Sequence, residues 1–213
     1  MDEKKKSSYD KNYIEELYFR YMETGVVQEE RRIELQNRLS GKKLLLIAPG
    51  KSSVEEREKI VAFAREKNVI SVSVNFAYEE LEPDFIFLSN LRRFRELNAD
   101  KYKKCIATSN IPAQDVYYKA AYHTLINRVE AVTDNASLMA IRFFMAYGIQ
   151  EFFLAGVDGY SHDADENYGR RNMALITKNA VLDAINVGMS EVLKLYGKTV
   201  SIRFLTSPRY VNF

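Results

Sequence analysis

The triplet Gly50-Lys51-Ser52 follows the apolar run Leu44–Ala48, and these are residue types that a phosphate-binding turn uses. Glycine lets the backbone approach a phosphate closely, lysine supplies a charge and serine a hydroxyl. A Walker A loop needs GxxxxGK[ST], because its first glycine opens a turn wide enough for amides to encircle the phosphates. Five residues before Gly50 stands Leu45, inside the apolar run, and the nearest earlier glycine, Gly41, is too far back. The pattern GxGxxG fails too, since the segment reads Ala48-Pro49-Gly50-Lys51-Ser52-Ser53. Two readings remain. Ser53 and Glu56 have the spacing of a capping box, which makes the segment a helix start and nothing more. Alternatively, the first strand-to-helix turn of a parallel sheet presents free amides and a positive dipole end. On that reading Gly50, Lys51, Ser52 and Ser53 contact a phosphate or carboxylate without forming a P-loop.

A second signal is spread along the chain. Successive apolar runs end in Asn75, in Ser89-Asn90, in Thr108-Ser109-Asn110 and in Gly156 with Asp158. Open α/β sheets bind ligands outside the carboxyl ends of their strands, and Asn75 falls where such folds often meet a ribose hydroxyl. The same residue types also favour ordinary turns. Their recurrence at strand end after strand end points to a shared pocket. Asp134-Asn135-Ala136-Ser137 opens a helix, with Asp134 a natural N-cap. If that helix faces the same edge, Asn135 and Ser137 would touch an anionic ligand. Arg92, Arg93 and Arg95 could hold a phosphate, although such a run is more often a solvated face.

The segment GVDGYSHDADENYGRR, residues 156–171, is dense in carboxylates and carries His162, one of two histidines. Asp163-x-Asp165-x-Asn167 begins like an EF-hand loop, but Tyr168 stands where glycine is required and Ala174 where glutamate is needed. A transition-metal site would draw on several His or Cys ligands, and none is expected here. The preferred reading is a loop over the pocket, with Asp158 at its base and His162 as acid or base; the alternative is a solvated loop. His123, among apolar neighbours, reads as a structural histidine.

These residues need a frame. Runs 44–48, 69–74, 84–89, 104–109, 151–156 and 199–205 have the length and composition of buried strands. Helical spacing covers Val54 to about Lys67, Asp134 to before Gly148, and about Arg171 to Tyr196. The alternation predicts a Rossmann-like α/β three-layer sandwich with a mainly parallel sheet over 42–213. A helical pair over 10–41 is expected to precede it as a connector, after a disordered tail at 1–9.

The chain has 213 residues, 46% hydrophobic and 28% charged, an ordinary globular composition. A net charge of +2 gives no electrostatic case for nucleic acid or an anionic membrane. One cysteine, Cys105, suits a reducing cytoplasm. No apolar run reaches the roughly 18 residues of a membrane helix.

The order APGKS, VSVNF, DFIFLSNLRRF, ATSNI and DNASLMAIRFFMAYGIQEFFLAGVDGYS resembles the domain found C-terminal to aldolases of the HMG-CoA-lyase-like, 4-hydroxy-2-oxovalerate-aldolase type. The likeness spans most of 10–213. More distantly, the first loop and the stretch from Gly148-Ile149 through Glu151 to Gly156 and Asp158 resemble bacterial sialyltransferases and archaeal-type hydroxymethylpterin pyrophosphokinases. The resemblance implies a nucleotide contact at Gly50, Lys51 and Ser52, and catalytic assistance from His162. The family loop reads G-P-S where this chain has P-G-K-S, so donor or pterin specificity does not carry over. It also implies that lyase chemistry resides elsewhere: such aldolases hold a divalent metal with a His-x-His pair in a TIM barrel, and this chain has no such pair. The expectation is a domain binding a nucleotide or another phosphorylated metabolite. The alternatives are a non-catalytic accessory or oligomerisation domain docked to an aldolase barrel, and a nucleotide-sugar-dependent transferase.

Overall fold

The computed structural model describes residues 28–213 apart from Arg171, Asn172 and Ala174; the first expected helix and the tail lie outside the described residues. In chain order come α1 (Glu29–Leu39), β1 (Lys43–Ile47), α2 (Ser52–Glu55), α3 (Arg57–Ala64), β2 (Val69–Val74), β3 (Phe85–Leu88) and α4 (Leu91–Glu96). Then follow β4 (Cys105–Thr108), β5 (Tyr118–Ala120), α5 (Tyr122–Leu125), α6 (Ala136–Ala146), β6 (Glu151–Ala155), α7 (Asn179–Tyr196) and β7 (Ser201–Phe204).

All seven strands are parallel, in the order β5-β4-β3-β2-β1-β6-β7. Both faces are therefore covered, which explains why LLLI and FIFL are apolar without alternation. Successive side chains still go to opposite faces. Leu44 and Leu46 join the core shared with Phe144 of α6 and Met189 of α7, whereas Leu45 and Ile47 join the opposite core with Ile60 of α3. A third cluster, around Ile86, Leu88 and Cys105, has Leu91 and Phe94 of α4 packed against it. This is a Rossmann-like three-layer α/β sandwich. Leu35 and Leu39 of α1 are buried in the first core, so this helix is packed into the sandwich.

Several details differ from the sequence-based expectation. The helix expected from Val54 is broken at Glu56, whose φ of −104° and ψ of 26° separate α2 from α3. No capping box forms there: the Ser53 hydroxyl donates to the Gly50 carbonyl, and the Glu56 carboxylate accepts from Ser207 N. The last long helix begins at Asn179, not near Arg171. Before it, Met173 is buried in the second core. His123 is exposed on α5, not enclosed by apolar neighbours. The parallel topology brings the C-terminal ends of β1 to β6 to one edge, with the reversal of strand order between β1 and β6.

Candidate functional site

The turn after β1 and the turn after β6 meet at this switch point, where ligands of open α/β sheets commonly sit. Here the chain fills the place itself. The Asp158 carboxylate, 2% exposed, accepts from Ser52 N at 2.8 Å and from the Ser52 hydroxyl. Thr206 Oγ1 lies 2.8 Å from the Ser52 hydroxyl and accepts from Gly156 N at 2.9 Å. Gly50 N donates to the Gly156 carbonyl at 3.0 Å, and Ser53 N to the Gly50 carbonyl at 3.0 Å. Gly50 is needed for this closure: a Cβ there would lie 2.2 Å from the Gly156 oxygen and 2.8 Å from Asp158 Cγ.

Lys51 is engaged too. Its ammonium pairs with Glu166, which holds it above its ordinary pKa, and Glu166 also accepts from Arg209 at 3.0 Å. Burial pushes the Asp158 carboxyl up against the opposing pull of its two bonds from Ser52. The carboxylate that this loop meets is the protein's own. Asp158 caps this turn in place of lining a pocket. His162 is exposed, with Nε2 at 2.8 Å from Asp183 of α7, outside the cavity described next. Nor does the Asp163 segment form a cation loop. Asp163 accepts from Asp165 N at 3.0 Å, and the Asn167 carboxamide is spent on Ser161.

The open space lies beside the switch point, over the ends of β1 to β4. A cavity of about 900 Å³ is lined by Pro49 after β1, Asn75 after β2, Ser89 and Asn90 after β3, and Asn110 after β4. Its far wall is the start of α6, Asp134 to Ser137, and the α4 residues Arg92, Arg93 and Arg95 line it as well. Tyr160, Tyr168, Leu175, Ile176 and Ile185 add an apolar side.

The asparagines are held in a common chemical sense. Asn75, at φ 62°, accepts from Ser89 N through its side-chain oxygen at 3.1 Å. Asn90 accepts from Arg93 N at 3.3 Å and so caps α4. Asn135, not Asp134, caps α6, accepting from Ser137 N at 3.1 Å and Leu138 N at 3.2 Å. A backbone N–H can be met only by the carboxamide oxygen, so each of these three presents its NH2 group outward as a donor. None of those NH2 groups bonds to another of the described residues. Asn110 differs. It accepts from the Thr108 hydroxyl and donates to the Ser89 carbonyl at 3.2 Å, so it braces the rim.

Ser89 and Ser137 are 6% and 8% exposed, and among the described residues neither hydroxyl has a hydrogen-bond partner. The guanidiniums of Arg92 and Arg93 share Glu96, at 3.2 and 2.8 Å. The sequence leaves these arginines between a phosphate contact and a solvated face. The signal was present: Asn90 ends a parallel strand and caps the next helix, so that helix's first turn must begin at the ligand edge.

The class defined by this fold and crevice is a Rossmann-like α/β domain with a donor-lined cavity beside a self-occupied switch point. Comparisons with protein-family models, curated proteins and solved structures gave no match to this chain.

Proposed function

We propose that this chain binds a phosphorylated small molecule, a nucleotide being the class that fits best, in the cavity over β1–β4. The observation that carries the reading is the predominance of donors on the rim, where Asp134 is the one carboxylate among the described lining residues. The NH2 groups of Asn75, Asn90 and Asn135, the Ser89 and Ser137 hydroxyls, unpartnered among the described residues, and three guanidiniums line one space. Phosphate oxygens accept hydrogen bonds and carry the charge that guanidinium recognises. The start of α6 adds the dipole end of an 11-residue helix. The volume lies within the roughly 300–1,000 Å³ of small-molecule sites.

The reading is one of binding, because no nucleophile–base pair is assembled from the described lining residues. In the setting implied by the aldolase resemblance, such a domain would sense or carry a metabolite beside a barrel that does the lyase chemistry. Calorimetric titration with CMP, UDP, GDP and ATP tests it, with Arg93→Gln as the paired variant. Binding by the wild type and a loss of about tenfold or more in Arg93→Gln is expected. No heat of binding from any of the four refutes the proposal.

A docking role has one observation of its own. Val181, Val187 and Leu195 of α7 are 44%, 59% and 59% exposed, whereas α1 exposes only Ile33 among its large apolar residues. An accessory-domain interface would therefore use α7. Sedimentation at rising concentration, with Val187→Asp as the control, tests self-association through that helix.

A further inference from the structure

The cavity is polarised from end to end, and this deepens the nucleotide reading, on which it rests. Arg92, Arg93 and Arg95 belong to α4, which packs on the Ile86 and Leu88 face of the sheet, opposite the face that α6 covers. At the start of α6 stands Asp134, the one carboxylate among the described lining residues. Asn135 has taken the cap of α6, and Asp134 itself makes no hydrogen bond with any other described residue. Between the two ends lie Tyr168 and Tyr160, packed edge to face with ring centroids 6.0 Å apart and hydroxyls at 3.3 Å. Tyr168 packs on the face of the sheet that carries α4 and Tyr160 on the face that carries α6, which orders the four groups across the cavity; burial pushes both phenols up.

A ligand that satisfies this lining has a phosphate at one end and neutral N–H or O–H donors at the other, with a flat or apolar part between. A bare phosphate or diphosphate would leave the carboxylate unmatched, and a second anion placed against it would be repelled. We infer that Asp134 is the specificity-determining residue of the cavity, accepting hydrogen bonds from a ribose diol or a base amine while the arginines hold the phosphate. Asp134 is exposed and outside the helix, so its removal leaves the fold in place.

The test compares wild type and Asp134→Ala by calorimetry against CMP, UMP, the 2′-deoxy form of CMP, and inorganic diphosphate, with a melting curve on each protein. Loss of a charge-assisted hydrogen bond predicts a fall of about 10- to 100-fold for CMP in the variant, whereas diphosphate, relieved of the carboxylate's repulsion, binds at least as well as to the wild type. In the wild type, a preference for CMP over UMP assigns the contact to the base amine. A preference for ribose over deoxyribose assigns it to the diol. Equal CMP affinity in wild type and variant overturns the role of Asp134 and leaves nucleotide binding standing. A wild type that binds none of the nucleotides overturns both.

Discussion

The turn after β1 and the rim after β3 both put a glycine- or asparagine-led helix start at the same sheet edge, yet they end in opposite states. At Gly50–Ser53 the helix start is met by Asp158, and the lysine beside it by Glu166. At Asn90–Arg93 the helix start is capped by its own asparagine, and the cavity beyond is lined by donors. The local residue types favour the first as a ligand site; the distant partners favour the second. What separates them is whether the chain supplies an acidic side chain from across the switch point. An anion-binding turn that is already neutralised is a joint of the fold, and one that is not is the candidate for a ligand.

Breaking the joint should have the largest effect. Asp158→Ala leaves Ser52 N without its buried acceptor and the Ser52 hydroxyl with Thr206 alone, and should cost about 3 kcal/mol. For a chain of this size that is a fall of about 6–12 °C in melting temperature. The same carboxyl gives a pH signature. Its folded value lies above the ordinary 3.8, so the stability it contributes is fully present below that value and declines as pH rises through the folded one. Asp158→Asn should flatten that part of a stability–pH curve measured by urea unfolding. A curve with the same slope in the variant would remove Asp158 as the cause.

The rim should be more forgiving. Asn75→Ala removes the acceptor for Ser89 N and puts alanine at φ 62°, with an expected cost of about 1–2 kcal/mol. Asn75→Gly keeps the backbone angle and should recover part of that loss, while calorimetry shows weaker CMP binding in both. If Asn75→Gly bound CMP as the wild type does, Asn75 would belong to the fold alone. The smallest effect belongs to His162→Ala. The side chain is exposed and, among the described residues, paired only with the exposed Asp183, so stability should move by less than about 0.5 kcal/mol and nucleotide affinity not at all. A large loss of affinity there would return His162 to the site.

Much of this architecture is readable from residues because burial on both sides of a parallel sheet leaves uninterrupted apolar runs. β1 from Leu44 on, β3, β4 and β6 lie in such runs; β2 carries Ser71 and Ser73 among its valines, and β7, Ser201-Ile202-Arg203-Phe204, buries fully only Ile202. β5 lies in none: Tyr118-Lys119-Ala120 is a three-residue edge strand with a lysine at its centre. The asparagine rim is legible for the same topological reason, since parallel strands must deliver their last residues to one edge. The fates of Lys51 and Asp158 are not legible. Glu166 is 115 positions from Lys51, and Asp158 is 106 from Ser52, so only the folded chain matches them. The segment before α7 misleads because Met173, Leu175 and Ile176 have a helix-like apolar spacing. They are spent instead on the second core and on the cavity wall.

The contrast between joint and site is tested most directly by following the backbone amides of 15N-labelled protein by NMR during titration with CMP. The account predicts progressive shifts at Ser89–Arg93 and Asn135–Leu138, while the amides of Gly50, Ser52 and Ser53 stay where they are. Shifts concentrated at Gly50–Ser53 with a silent rim, or no shift anywhere at millimolar CMP, would contradict it.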